Sequence, residues 1–194
     1  MKIGLYFGSF NPIHVGHLII ANHVINTTNY DKIWFVVSPQ NPLKPSNSLL
    51  NEYTRLHLVR LAIEDNPRFK VIDVEFNLPK PSYTIDTLTY LKEKYPSYSF
   101  AVILGSDSYQ NLPKWKNYQT LINENELLVY ERPGFPFNPH PFTPPSHTIL
   151  LKGAPLLDIS ATSIRKLLGE GKSIQYLVSE KVREEINAAG YYKK

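Results

Sequence analysis

The sequence predicts a doubly wound α/β domain, with a mostly parallel sheet and a small helical C-terminal end. Apolar runs of strand length alternate along the chain with segments of helical period. The runs are continuously apolar, which indicates strands buried on both faces, as in a parallel sheet between two layers of helices. A chain of 194 residues suits one such domain, 1–194, with the helical subregion beginning at about 159.

The N-terminal half alternates three predicted strands with three predicted helices. In chain order these are strand IGLYF (3–7), a helix from about His17 to Thr27, strand KIWFVV (32–37), a helix from about Glu52 to Glu64, strand FKVIDV (69–74) and a helix from Thr84 to Tyr95. In the second helix Leu56, Val59 and Ile63 recur at helical spacing, which predicts a buried face. Arg55 on this helix is a candidate brace for the loop after the first strand.

The C-terminal half continues the alternation less regularly. Strand FAVILG (100–105) precedes short helical segments, strands ELLVY (126–130) and TILLK (148–152) follow, and the chain ends in helices. Two proline-rich stretches, 39–47 and 132–147, interrupt the pattern as loops. The second is either an extended surface segment or a mobile lid, and its two histidines, His140 and His147, are expected to be solvated.

Composition excludes several classes of protein. The chain is 42% hydrophobic and 20% charged and has no apolar run approaching the roughly 20 residues that span a bilayer. Glycine and asparagine interrupt the first apolar run before a signal-peptide core could form. Absence of cysteine excludes disulfides and thiolate-bound metals and agrees with a reducing compartment. We therefore expect a cytoplasmic protein that binds neither membrane nor, since its net charge of +4 is dispersed, nucleic acid.

The stretch GSFNPIHVGH, residues 8–17, is the strongest chemical signal in the sequence. It forms the turn from the first predicted strand into the first predicted helix, where α/β proteins bind ligands and where a helix N-terminus attracts anions. Gly8 permits the turn, and the backbone amides of Ser9 and Phe10 follow it. His14 and His17, with Gly16 between them leaving room for a phosphate, flank the first helical turn and are candidate donors to phosphate oxygens.

Three competing sites do not fit this stretch. A Walker A loop needs a lysine after its second glycine, and a dinucleotide fingerprint needs GxGxxG with an acidic residue after the second strand, where this chain has VVSPQ. A zinc HExxH site needs a spacing of four and a glutamate, whereas these histidines are three apart.

A second candidate helix start lies in ISATSIR, residues 159–165. Ser160 is a suitable N-cap for a helix from Ala161 to Leu168 that stops at Gly169. Arg165 in its first turns adds a guanidinium suited to a triphosphate.

Together the two stretches resemble the signatures of the nucleotidyltransferase superfamily, which are GxFxPxHxGH and ISSTxIR. The resemblance implies a Rossmann-like nucleotidyltransferase fold for the domain. It implies catalytic roles for His14, His17 and Arg165. It further implies an ATP site formed by Gly8, Ser9, Phe10, His14, Gly16, His17, Ile159, Ser160, Thr162, Ser163 and Arg165.

The resemblance narrows to the bacterial nicotinate mononucleotide adenylyltransferases and extends over essentially the whole chain. SYTIDTL (82–88) is similar to the family's SYTxDTL, which implies that Tyr83 and Thr84 present backbone amides to the nicotinate carboxylate. GSD (105–107) resembles the family's GxD, which implies that Gly105 and Asp107 contact the nucleotide. In KWKNY (114–118), Trp115 is implied to stack on the pyridine ring.

The implied contacts to nicotinate mononucleotide also include Ser9, Phe10 and Lys44. The chain departs from the family at the last of these, because Leu43 precedes Lys44 where the family commonly has a histidine. Lys44 is therefore a weaker candidate for a phosphate contact.

The resemblance implies transfer of the adenylyl group of ATP to nicotinate mononucleotide, giving deamido-NAD and pyrophosphate, as a step of NAD biosynthesis. Mg²⁺ is expected to be carried mainly by the ATP phosphates, because no carboxylate cluster stands near either signature. Alternatives that stay open are adenylyl transfer to nicotinamide mononucleotide or to phosphopantetheine, and a non-catalytic nucleotide sensor. Whether the chain assembles into a homo-oligomer is also left open.

Overall fold

A six-stranded parallel sheet forms the centre of the protein, which confirms the predicted doubly wound fold. The computed structural model describes residues 1–40, 49–138 and 147–193. The strand order is β3-β2-β1-β4-β5-β6, and every neighbouring pair is parallel. The strands are β1 (Lys2–Gly8), β2 (Lys32–Val37), β3 (Phe69–Ile72), β4 (Ser99–Gly105), β5 (Glu126–Tyr130) and β6 (Thr148–Leu150).

Helices connect the strands and cover both faces of the sheet. In the described residues they are α1 (Val15–Thr27), α2 (Glu52–Ile63), α3 (Thr84–Lys94), α4 (Ser106–Gln110), α5 (Tyr118–Glu124), α6 (Ala161–Gly169) and α7 (Glu180–Ala189). Two 3-10 helices, Val74–Asn77 and Leu112–Lys114, complete the connections. None of the described helices is long and apolar enough to cross a membrane.

The alternation of side chains along the strands divides the core into two layers. Odd and even positions of β1 point to opposite faces, so Tyr6 packs on one side and Leu5 on the other. The first layer joins α1, α2, α6 and α7 to the sheet, and the second joins α3, α4 and α5. Burial on both faces explains why the strands are apolar at consecutive positions.

Three element ends differ by two residues from their predicted positions, and several others differ by one. Helix α1 starts at Val15 instead of near His17, because His14 has the extended backbone of an N-cap. Strand β3 ends at Ile72, and the predicted last residue Val74 instead begins a 3-10 helix. Strand β6 ends at Leu150, two residues early.

The strand order reverses between β1 and β4, and this reversal positions the candidate site. The connection after β1 leads to one side of the sheet and the connection after β4 to the other, which opens a crevice at the carboxyl ends of these strands. The GSFNPIHVGH turn follows β1 and the GSD stretch follows β4, so both lie at the crevice.

Candidate active site

The turn after β1 is held in a tight conformation by Phe10. Phe10 has a positive φ of 43° and is 2% exposed. A Cβ on Gly8 would lie 2.8 Å from its ring, so glycine at this position permits the phenylalanine to fold back under the turn. The two residues therefore shape the turn from below.

His14 and His17 stack on each other at the start of α1. Their ring centroids are 3.7 Å apart, with 28° between the planes. The backbone N–H of His14 donates to Nδ1 of His17 at 3.3 Å. Because Nδ1 of His17 accepts this bond, the ring proton lies on Nε2, from which it can be donated to a phosphate oxygen.

His14 is buried and held in its neutral form. Burial and, to a smaller extent, the nearby positive charge of Arg132 lower its pKa to about 4. A neutral His14 can stack on His17 without repulsion between two imidazolium ions. Gly16 makes room for the stack, since a Cβ there would lie 3.0 Å from Nδ1 of His14 and 3.8 Å from Cβ of Ile159.

The second signature forms the predicted capped helix. Ser160 is the N-cap of α6, and its hydroxyl accepts a hydrogen bond from the backbone N–H of Ser163 at 3.1 Å. Helix α6 starts at Ala161, as predicted, and runs to Gly169. Thr162 and Ser163 are exposed in its first turn.

Arg165 joins the two signatures directly. Its guanidinium donates to the backbone carbonyl of Asn11 at 2.8 Å and to Oγ1 of Thr162 at 3.3 Å. The donor and acceptor of the first bond are 154 residues apart in the sequence. The starts of α1 and α6 therefore lie on one cleft, as the anion-binding prediction requires.

This cleft has an apolar wall and a charged end. It is lined by Tyr6, His14, Gly16, His17, Ile20, Tyr130, Glu131, Arg132, Pro155, Leu157 and Ile159. Ile20, Leu157 and Ile159 supply apolar surface suited to the face of a nucleobase, and the histidines and Arg132 supply groups suited to phosphate.

Asp107 and Arg132 meet above the end of β4. A Cβ on Gly105 would clash with the Asp107 carboxylate and would lie 2.8 Å from Cδ of Arg132, so glycine here permits both side chains to approach.

The hydroxyls of Tyr6 and Tyr130 share a buried hydrogen bond of 2.9 Å. Burial raises the pKa of both tyrosines, which keeps the hydroxyls protonated as donors.

The start of α3 forms a second anion-binding feature. Tyr83 is the N-cap and Thr84 the first residue of the helix. Among the described residues no acceptor pairs with the backbone N–H of either residue. Lys116, next to Trp115, bonds to Asp86 at 2.8 Å and lies 4.9 Å from the centroid of the Tyr83 ring. The Trp115 segment and the start of α3 are therefore neighbours, as the resemblance implied.

Arg55 braces the loops around the site from inside the protein. The side chain is 1% exposed. It donates to the backbone carbonyls of Leu50, Ser9, Ser38 and Pro39, at 2.6 to 3.1 Å. The turn after β1 and the end of β2 are thus tied to the first turn of α2.

Some sequence candidates lie outside the described residues. These are Lys44 and His140, together with 139–146, which is half of the predicted loop 132–147. Within the described part of the chain no cluster of three or more acidic or histidine side chains could hold a metal ion.

Arg132, Tyr6 and Tyr130 were missed as site residues by sequence reasoning. Arg132 follows β5, the neighbour of β4, so the rule that ligands bind at carboxyl ends of strands could have identified it. Its place at the beginning of a proline-rich stretch hid this signal. The tyrosines have the same apolar pattern as the rest of their strands, and no local feature distinguishes them.

Comparisons with known proteins agree with this geometry. Residues 5–167 match the model of the cytidylyltransferase-like family. A protein of Cytophaga hutchinsonii named probable nicotinate-nucleotide adenylyltransferase is 52% identical over 192 residues, which cover 99% of this chain and 98% of the relative. A protein of the same name from Flavobacterium psychrophilum is 47% identical over 194 residues and the full length of both chains.

Solved structures give the same fold at lower sequence identity. Plasmodium falciparum nicotinic acid mononucleotide adenylyltransferase complexed with NaAD matches with a TM-score of 0.86 and 23% identity, covering 98% of this chain and 97% of that one. The same enzyme complexed with APC matches with a TM-score of 0.84. At this level of identity the likeness establishes the architecture.

Proposed function

Because this chain belongs to the cytidylyltransferase-like family and, within it, to the nicotinate-nucleotide adenylyltransferases, we propose that it transfers the adenylyl group of ATP to nicotinate mononucleotide. The products are deamido-NAD and pyrophosphate, and the reaction is a step of NAD biosynthesis. The cytoplasmic location stays a prediction.

The observation that carries this proposal is the hydrogen bond between Arg165 and the carbonyl of Asn11. It brings two helix N-termini, two imidazoles and a guanidinium to one cleft, where a polyphosphate chain could contact all of them. A protein that bound only uncharged ligands would have no use for this concentration of donors.

ATP binds with its base against Gly16, Leu157 and Ile159 and its phosphates towards the starts of α1 and α6. The ATP contacts are assigned to Gly8, Ser9, Phe10, His14, Gly16, His17, Gly105, Asp107, Ile159, Ser160, Thr162, Ser163 and Arg165. Arg132 is added to this set because its positive charge reaches His14 from the end of β5.

Nicotinate mononucleotide binds on the side of α3. The backbone amides of Tyr83 and Thr84, for which the described residues offer no acceptor, receive the carboxylate. The partial positive charge of the helix start favours this anion over a neutral carboxamide. Trp115 stacks on the ring, and Ser9, Phe10 and Asp107 contact the remainder of the nucleotide. A contact from Lys44 stays a prediction, because this residue lies outside the described part of the chain.

The reaction needs alignment and charge neutralisation. A phosphate oxygen of nicotinate mononucleotide attacks the α-phosphorus of ATP, and the bond from that phosphorus to the bridging oxygen breaks as pyrophosphate leaves with the electron pair. His17 donates through Nε2, and Arg165 neutralises negative charge that moves to the leaving group. The acceptor phosphate is already ionised, so these residues need not remove a proton.

Mg²⁺ fits this site as a companion of the nucleotide. One carboxylate, that of Glu131, lines the cleft and accepts from the N–H of Phe137, and the described residues hold no cluster of three candidate ligands. The imidazole and guanidinium groups suit phosphate, so the metal would be held mainly by phosphate oxygens and water. When bound, the metal neutralises the charge of the triphosphate.

The test is pyrophosphate release from ATP and Mg²⁺ with either nicotinate mononucleotide or nicotinamide mononucleotide as acceptor. We expect product with the acid and little with the amide. Equal rates with both acceptors would mean that the enzyme accepts either pyridine nucleotide. Binding of ATP without product from either acceptor would favour a non-catalytic nucleotide sensor.

A further inference from the structure

The mechanism above leaves one buried ionisable group unused, which is Glu75. It lies on the 3-10 helix Val74–Asn77 that follows β3, and its side chain is 1% exposed. A carboxyl group in this position costs free energy unless donors satisfy it, so its presence indicates a specific use.

The donors around Glu75 are hydroxyl groups. Oγ1 of Thr87, which is fully buried, donates to Oε1 of Glu75 at 2.9 Å. The hydroxyls of Ser38 and Ser82 favour the charged form from nearby. Among the described residues, however, neither Oε2 of Glu75 nor the Ser82 hydroxyl has a hydrogen-bond partner, so Thr87 is the donor bonded to the carboxyl. Burial outweighs these contacts and raises the pKa of the carboxyl.

These donors surround the candidate carboxylate-binding amides. Ser82 directly precedes Tyr83, and Thr87 lies one helical turn after it, so the Glu75 carboxyl lies beside the N-cap and is bonded to the first turn of α3 through Thr87. The carbonyl of Tyr83 accepts from the N–H groups of Asp86 and Thr87, at 3.1 and 3.2 Å. This fixes the plane of the peptide between Tyr83 and Thr84, and hence the direction of the Thr84 N–H.

We propose that Glu75 is a positioning residue for the acceptor subsite, and that by fixing the start of α3 it sets the preference for a carboxylate over a carboxamide on the pyridine ring. The inference rests on the proposed function, because it assumes that this helix start receives the nicotinate carboxylate. Glu75 acts on the acceptor subsite through its hydrogen bond with Thr87.

The reason for a large effect is geometric. Hydrogen bonds from two adjacent amides to a carboxylate tolerate little misplacement, and a shift of about 1 Å can cost on the order of 100-fold. Loss of the carboxyl removes the acceptor of the Thr87 hydroxyl and leaves a cavity beside it.

The experiment compares Glu75→Ala with Glu75→Gln and with Glu93→Ala, an exposed control at the far end of α3. We expect Glu75→Ala to raise the KM for nicotinate mononucleotide by about tenfold or more and to lower the ratio of acid to amide kcat/KM, with the KM for ATP within about twofold. Glu75→Gln should stay within about threefold, because its amide oxygen can still accept from Thr87. Thr87→Val removes the same contact from the other side and should show the same selective loss.

The outcomes separate this inference from the proposed function. If the wild-type protein neither binds nor adenylylates nicotinate mononucleotide, both are overturned. If the wild type is active and Glu75→Ala changes both KM values equally, or neither, the positioning role alone is overturned. Should Glu75→Ala not fold, the two KM values of Thr87→Val test the positioning role by the same criterion. Equilibrium binding of nicotinate mononucleotide to this variant is a second readout.

Discussion

At the scale of single residues, the site depends on the protonation of its two imidazoles, those of His14 and His17. His17 accepts from a backbone N–H at Nδ1 and so presents Nε2–H. His14 is neutral because burial and the positive charge of Arg132 both oppose its protonation. The sequence predicted that two histidines would act on phosphate, but not their different states, which arise from contacts with residues far along the chain.

Replacement of His17 should affect chemistry and not folding. We expect His17→Ala to lower kcat by about 100-fold or more, the range for a lost transition-state donor. His17 is only half-buried, so thermal unfolding should change little. The matched control is His57→Ala, whose imidazole is 48% exposed on α2 and faces Glu185. An unchanged kcat in the His17 variant would refute its role.

Burial of His14 predicts a pH dependence of stability. Its pKa is about 4 in the folded protein and 6.5 in the unfolded chain, so only the unfolded chain binds this proton between those values. The free energy of unfolding therefore falls as pH decreases from about 6.5 towards 4. In urea titrations the wild type should lose about 2 kcal/mol more than His14→Gln between pH 7.5 and pH 5. Above pH 7 the two proteins should show parallel curves, and parallel curves throughout would contradict the assignment.

At the scale of elements, periodicity predicted the framework because the strands are buried on both faces. β2 and β5 have their predicted bounds, and α6 starts at its predicted cap. The apolar run of β3 predicted two further strand residues, but the chain turns after Ile72 into the 3-10 helix that carries Glu75 inwards. That turn depends on hydroxyls supplied by two other segments, so no local pattern could indicate it.

The brace at Arg55 is a property of three elements together. Its four backbone acceptors belong to the β1–α1 turn, the end of β2 and the residues before α2. Arg55→Lys keeps the charge but cannot reach carbonyls in four directions. We expect it to lower the free energy of unfolding by about 2–4 kcal/mol, because several buried acceptors lose their donor.

Chemical denaturation measures this loss, with Arg60→Lys as the control because Arg60 is exposed on the same helix. The control should stay within about 0.5 kcal/mol of the wild type. Equal stabilities of the two variants would mean that the buried guanidinium is not structurally required.

At the scale of the whole molecule, both ends of the chain converge on Asn11. Its carbonyl accepts from Arg165 of α6, and its side-chain oxygen accepts from the Tyr192 hydroxyl at 2.8 Å and from the N–H of Leu50 at 3.2 Å. The N–H of Val15 donates to the carbonyl of Leu177 at 2.9 Å. The C-terminal helices therefore complete the ATP cleft that the first strand begins.

A ligand that bridges these regions should stabilise the entire fold. A non-hydrolysable ATP analogue at about 100 times its Kd should raise the free energy of unfolding of the wild type by about 2.7 kcal/mol. Arg165→Ala removes the guanidinium that joins α6 to the turn after β1, so at the same analogue concentration we expect a gain below about 1.5 kcal/mol. Lys166→Ala changes the neighbouring, 78% exposed side chain and should keep the full gain. Chemical denaturation with and without the analogue measures all three, and an undiminished gain in Arg165→Ala would mean that the triphosphate does not bind where the two helix starts meet.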